Sequence, residues 1–151
     1  MAKYNVLVTA RSFGTVDDLA VNLLQEHDCE IKKLEEKDGP IPEQLKKELP
    51  AADAVIAGLE YYGRELIESA GHLKVISRYG VGYDKVDLKA ASDNHVAVTI
   101  TPGANGDSVA DLAMTLMLAC ARNVVVMDNG IKGRDQARPS GVEMWGKTLG
   151  V

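Results

Sequence analysis

The sequence predicts an α/β fold: a flavodoxin-like, doubly wound parallel sheet of five strands, followed by one long apolar helix. Three observations predict it. Short apolar or β-branched runs alternate with amphipathic segments from residue 4 to residue 100. Glycine- and polar-rich loops follow several of those runs, where the carboxyl edge of a parallel sheet gathers ligands. The segment opening at Ser108 is apolar nearly all round, whereas an ordinary surface helix carries a single apolar stripe.

The elements follow in order. Residues 4–10 (YNVLVTA) form a short apolar run and predict a buried strand. Residues 16–27 (VDDLAVNLLQEH) repeat apolar positions at helical spacing, at Val16, Leu19, Ala20, Leu23 and Leu24. Thr15 is the expected N-cap, with Asp17 and Asp18 in the first turn beside the positive end of the helix dipole. Residues 29–34 (CEIKKL) alternate weakly and suit an edge strand. After a turn at 35–41, Pro42 sits at the first position of a short helix over 42–49. Strands are predicted at 54–59 (AVIAGL), 73–77 (LKVIS) and 96–100 (VAVTI), with short helices at 63–69 and 87–94 between them. This alternation dictates a parallel sheet with right-handed crossovers and helices on both faces.

Beyond residue 100 the pattern changes. Ser108 opens a helix with Asp111 three residues on, close to a capping box, and the helix is expected to run to about Gly130. Its apolar surface needs cover from its own sheet and from another domain or a second copy of the chain. Residues 130–146 (GIKGRDQARPSGVEMWG) read as a linker, and 147–151 (KTLGV) as the opening of a further strand.

Composition narrows the function classes. Apolar residues make up 46% of the 151, enough for a real core. A net charge of -5 argues against a nucleic-acid surface or an anionic membrane as partner. Cys29 and Cys120 read as buried thiols, and His27, His72 and His95 as surface residues at helix ends. No Cys/His spacing suits a metal. The start, MAKYNVLVTA, lacks a basic-then-apolar signal segment. The longest apolar stretch, 112–121, falls short of the about 20 residues a bilayer needs. A cytoplasmic protein is expected.

Three loops carry candidate chemistry. The first is Arg78-Tyr79-Gly80-Val81-Gly82-Tyr83-Asp84, directly after a strand. Its glycines permit a sharp turn whose N–H groups form an anion-binding nest, and Arg78 offers a forked cation for a carboxylate or phosphate. A Gly-x-Gly taken alone more often marks a tight strand-to-helix turn with no ligand. It is not a dinucleotide fingerprint, because Lys85 holds the third glycine's place. The second loop is 101–108 (TPGANGDS), where Asn105 presents a donor and an acceptor at a strand's carboxyl end; a plain capped turn is the other reading. The third is Arg11-Ser12-Phe13-Gly14, with Arg11 read as a solvated loop charge. All three lie on one sheet edge. Glu60 and Glu65 read as surface charges, and no Ser/His/acid set converges on these loops.

VISRYGVGYDKVDL, VAVTITPGANGDSVADLAMTLMLACAR and EMWGKTLGV together resemble the D-isomer-specific 2-hydroxyacid dehydrogenases. The resemblance is nearest to phosphoglycerate dehydrogenase-like members, whose first loop also resembles VTARSFG, and it runs from about residue 6 to residue 151. It implies a two-domain oxidoreductase that uses NAD or NADP to oxidise a small 2-hydroxy acid or reduce a 2-oxo acid. It implies that the backbone at Val81 and Gly82 holds the substrate carboxylate and that Arg78 is a second anion contact. It implies further that Asn105 lies at the substrate and cofactor cleft, and that the helix over 108–130 builds a homodimer or swapped oligomer.

On this reading residues 1–105 are the substrate-binding domain, and 106–133 the inter-domain or dimerisation helix. Residues 134–151 are then a linker and the first strand of an NAD-binding Rossmann domain. The family's glycine-rich cofactor turn and catalytic Arg, Glu and His would follow Val151. The chain is therefore expected to be a truncated substrate-binding half, inactive alone, with no catalytic, cofactor or metal residue of its own. At Gly58-Leu59-Glu60 better-known phosphoglycerate dehydrogenases carry an arginine-bearing loop; a carboxylate there argues against a phosphorylated substrate. Two alternatives are a stand-alone flavodoxin-like binding or regulatory domain and a self-associating engineered fragment.

Overall fold

A computed structural model describes residues 3–133 and 138–150. The chain divides into two compact units, Met1–Ala104 and Asn105–Val151.

The first unit is a parallel sheet of β1 (Tyr4–Val8), β2 (Cys29–Lys33), β3 (Ala54–Ala57), β4 (Val75–Arg78) and β5 (Ala97–Thr99). The spatial order is β2-β1-β3-β4-β5, the flavodoxin-like order, with the weakly alternating β2 at an edge. The helices are α1 (Leu19–Glu26), α2 (Ile41–Glu48), α3 (Arg64–Glu68) and α4 (Leu88–Asp93).

The strand period of two sorts the core. Leu7, Val55 and Ile76 point to one face, where Leu45 of α2, Ile67 of α3 and Ala90 of α4 cover them. Val6, Val8, Ala54 and Ile56 point to the other, against Val21 and Leu24 of α1. Helices therefore cover both faces, and the chain changes direction between β1 and β3. That switch opens a crevice beyond the strands' carboxyl ends.

The entry to α1 differs from expectation. The helix starts at Leu19, with Asp18 rather than Thr15 at its cap position. The Thr15 hydroxyl donates instead to the Ser12 carbonyl at 2.9 Å, and Asp17 accepts from the Leu19 amide at 3.1 Å. The acidic pair takes over the entry and leaves Val16 in solvent.

The second unit contains α5 (Gly106–Ala121) and α6 (Val124–Lys132), not one helix over 108–130. Their axes differ by 63°, and Asn123 between them takes a left-handed conformation with φ 53°. Asparagine tolerates that region better than most residues, so the chain breaks there. The Asn123 side-chain amide donates to the Ser140 carbonyl at 2.9 Å, and the Val142 amide to the Ala121 carbonyl at 2.7 Å. The segment after α6 thus returns to the junction. Asn105 holds the cap position of α5, so Ser108 lies inside the helix and forms no capping box.

Residues 147–150 form no strand, because no other strand pairs with them among the described residues. Residues 134–137 of the expected linker and Val151 lie outside the described residues. No residue of α5 or α6 is buried, and Val109, Leu112, Leu116, Val125 and Ile131 are all exposed. Cys120 on α5 is exposed and Cys29 half-buried, against the expectation of two buried thiols. Among the described residues no single helix is long and apolar enough to cross a membrane; α5 and α6 reach that length only as a bent pair.

Candidate functional site

The carboxyl ends of β1, β3 and β4 border an open cleft of about 370 Å3, lined by Thr9, Ala10, Arg11, Ser12, Gly58, Leu59, Glu60, Arg78 and Tyr79. It lies at the switch between β1 and β3, and its size falls within the range of small-molecule sites.

Thr9 organises the floor. It is 3% exposed, the one buried polar residue among the described residues. Its Oγ1 accepts the Gly58 N–H at 2.8 Å and shares a hydrogen bond of 3.1 Å with the Tyr62 hydroxyl. Burial pushes the Tyr62 phenol well above its ordinary value, the Thr9 bond partly opposes this, and the Glu60 carboxylate adds to it. Tyr62 is therefore a neutral strut, and the ends of β1 and β3 are fastened together. Gly58 has no room for a side chain: a Cβ would lie 2.8 Å from the Thr9 carbonyl and 2.9 Å from Glu60 Oε2.

Arg78 forms the cationic wall. Its Nη1 donates to the carbonyls of Ala57 at 3.3 Å and Tyr79 at 2.9 Å. Gly80 makes this possible, with φ +152° and a would-be Cβ only 3.2 Å from that nitrogen. Val81 and Gly82 follow in the chain, exposed and outside the cavity's lining, and their N–H groups meet no acceptor among the described residues. The Thr101 amide donates to the Gly80 carbonyl at 3.0 Å, tying the loop after β5 to this turn. Phe13 and Tyr79 meet edge to face at 6.3 Å, tying it to the loop after β1.

The structure thus joins Arg78, Val81 and Gly82 in one turn beside the cleft. Asn105 belongs to the second unit, where its carbonyl accepts the Val109 amide at 2.9 Å and its side chain makes no cap bond. Arg11 pairs with Glu36 on the surface, as a solvated charge would. Glu60 differs from expectation: its Oε2 is buried and has no hydrogen-bond partner among the described residues. Thr9 and Tyr62 are the residues that sequence reading did not single out for the site; Glu60 figures there only as a surface charge and as a carboxylate opposing a phosphate.

The model of the D-isomer specific 2-hydroxyacid dehydrogenase family, catalytic domain, matches residues 6–146. The chain belongs to this family. It is 38% identical over 135 residues to D-3-phosphoglycerate dehydrogenase of Methanocaldococcus jannaschii, covering 87% of this chain and 25% of that protein. It is 36% identical over 156 residues to hydroxypyruvate reductase of Thermotoga maritima, covering 100% of this chain and 48% of that one. Among solved structures, the TT0316 protein from Thermus thermophilus superposes with a TM-score of 0.75 at 31% identity, over 93% of this chain and 45% of that one. The chain thus spans between a quarter and a half of the length of these relatives.

Proposed function

We propose that this chain is the acid-binding part of a D-2-hydroxyacid dehydrogenase and that the cleft beside Arg78 receives the substrate carboxylate. The carrying observation is the pair of unengaged N–H groups at Val81 and Gly82, next to a guanidinium fixed by its own backbone. Successive amides in a tight turn concentrate positive potential on a bound anion. Arg78 adds a charge-assisted contact, since its Nη2 and Nε have no protein acceptor among the described residues. By its resemblance to the family, Asn105 is a further proposed contact of the acid.

The oxidation itself needs a hydride carrier, here NAD or NADP, which supplies the redox chemistry when bound. The described residues do not fit a dinucleotide. Lys85 stands where a third glycine would admit the pyrophosphate, and the next helix begins only at Leu88 and has six residues. The cleft also lacks a histidine to carry the proton among its described residues. This chain's residues therefore bind and orient the acid, and the cofactor is held by others. The exposed apolar faces of α5 and α6 are assigned to a homodimer or swapped contact.

The test is calorimetric binding of D-lactate to the chain, alongside an NADH assay with glyoxylate. Binding that weakens roughly tenfold in Arg78→Met, the order expected for one charge-assisted hydrogen bond, with no NADH turnover, is the expected result. Turnover by the pure chain would overturn the division of labour, and wild-type affinity in Arg78→Met would overturn the role of Arg78.

A further inference from the structure

Lys33 ends β2 on the face that the strand's period of two assigns to the core. Cys29 and Ile31 precede it on that face, both packed against the cluster of Val6, Val8, Ala10 and Phe13. An apolar residue would continue the pattern. The chain places a lysine there instead, half-buried and opposite Val8, the last residue of β1. Its neighbour Lys32 is exposed and pairs with Glu48 at 2.6 Å. Lys33 pairs with no carboxylate among the described residues. Its ammonium reaches the loop leaving β1 and donates to the carbonyls of Arg11 at 2.8 Å and Phe13 at 2.9 Å.

That loop needs the two hydrogen bonds. The Ala10 carbonyl accepts from the Phe13 amide at 3.2 Å. The Ser12 carbonyl accepts from the Thr15 amide at 3.2 Å and from the Thr15 hydroxyl at 2.9 Å. These bonds close the turn on itself and leave the carbonyls of Arg11 and Phe13 over. Lys33 takes both. Four successive carbonyls are thus satisfied, two from within the loop and two by one ammonium. A charged donor makes the stronger bond, and the apolar stem of a lysine can lie along the core while its head reaches out to make it.

The loop so held is a wall of the cleft. Ala10, Arg11 and Ser12 line it, and Lys33 does not. Phe13 is buried and meets Tyr79 edge to face. Tyr79 in turn donates its amide to the Ala57 carbonyl at 2.9 Å, and its own carbonyl accepts from Arg78 Nη1 at 2.9 Å. We propose that Lys33 is a positioning residue of the acid site: it fixes the turn after β1, which braces Tyr79 through Phe13 and so holds the Arg78 guanidinium in place for the substrate carboxylate. This rests on the reading of the cleft as the acid site. A cation that touches no ligand then sets the affinity, because a wall ordered in advance spares the complex the cost of ordering it.

The experiment is a nitrogen-15 NMR titration of the full 151-residue chain with D-lactate. Lys33→Met keeps the apolar stem and removes the donors, and Phe13→Leu keeps the core filled and removes the ring. Each is expected to weaken binding roughly threefold to tenfold, the range for a segment that must be ordered again on binding. Lys33→Arg keeps the charge and the N–H donors and is expected to bind within about twofold of the wild type. In an Arg78→Met background, Lys33→Met is expected to cost less than about twofold further, since the group it positions is gone. Amides of α2, α3 and α4 at their wild-type shifts certify the fold of each variant. Wild-type affinity in Lys33→Met or Phe13→Leu overturns the role of Lys33 while the acid site stands. So does Lys33→Arg binding as weakly as Lys33→Met, or a full further loss in the Arg78→Met background. No response at Val81 and Gly82 in the wild type overturns both.

Discussion

Thr9→Val is the sharpest probe of how the cleft is held open. The substitution keeps shape and removes one hydroxyl, but that hydroxyl serves two partners, the Gly58 N–H at 2.8 Å and the Tyr62 hydroxyl at 3.1 Å. Both lose their hydrogen bond. Tyr62 is wholly buried, so its orphaned hydroxyl bears a full desolvation penalty, and half-buried Gly58 bears a smaller one. At about 1–3 kcal/mol per stranded group, the loss is about 2–4 kcal/mol. Tyr62→Phe removes one bond and strands nothing, because Thr9 keeps the Gly58 amide; about 0.5–1.5 kcal/mol is expected. In the double variant the phenyl ring needs no partner, so the combined cost falls short of the sum by about 1 kcal/mol. Urea unfolding followed by far-ultraviolet circular dichroism measures all four proteins. A Thr9→Val loss no larger than that of Tyr62→Phe, or strict additivity, would refute the reasoning.

Three further outcomes are expected. Gly80→Ala forces a side chain into φ +152° and against Arg78 Nη1 at 3.2 Å, so it should cost about 1–3 kcal/mol in urea unfolding and weaken D-lactate binding. The Tyr62 phenol is raised in the folded chain from 10.0, so the unfolded chain loses that proton first. Stability is then whole below the unfolded value and declines as pH climbs past it; urea midpoints between about pH 8 and about pH 11 should fall less steeply in Tyr62→Phe than in the wild type. Hydrogen bonds from Lys89 and then Arg64 hold the Asp93 carboxyl below its ordinary 3.8, so its stabilisation is present above that value and lost as pH falls. Carboxyl carbon NMR should show Asp93 titrating nearer the ordinary value in Lys89→Met.

The parallel sheet was legible because its central strands bury residues on both faces. The runs at 6–8 (VLV), 54–57 (AVIA) and 75–76 (VI) carry no polar residue, and turn residues separate them. The Arg78 to Gly82 turn was legible for a similar local reason: paired glycines directly after a strand mark a backbone that must bend. The break between α5 and α6 was not, since apolar residues continue on both sides of Asn123 and only its backbone conformation separates them. The burial of the Glu60 carboxylate was hidden for a longer-range reason. The space it occupies exists because Gly58 lies against Thr9 of β1, and that approach is set by the β1–β3 pairing. Thr9 itself reads as an ordinary strand-end threonine until the fold brings Gly58 and Tyr62 to it.

The central claim is that the turn after β4 binds the carboxylate of a 2-hydroxy acid. Nitrogen-15 NMR of the chain titrated with D-lactate tests it most directly, because Val81 and Gly82 each contribute an N–H that meets no acceptor among the described residues. Saturable downfield shifts centred on these two amides are predicted, with Arg78 responding and the α2–α3 groove around Tyr61 and Leu66 silent. Shifts centred on that groove, or an unmoved Val81 and Gly82 at saturating acid, would contradict the account.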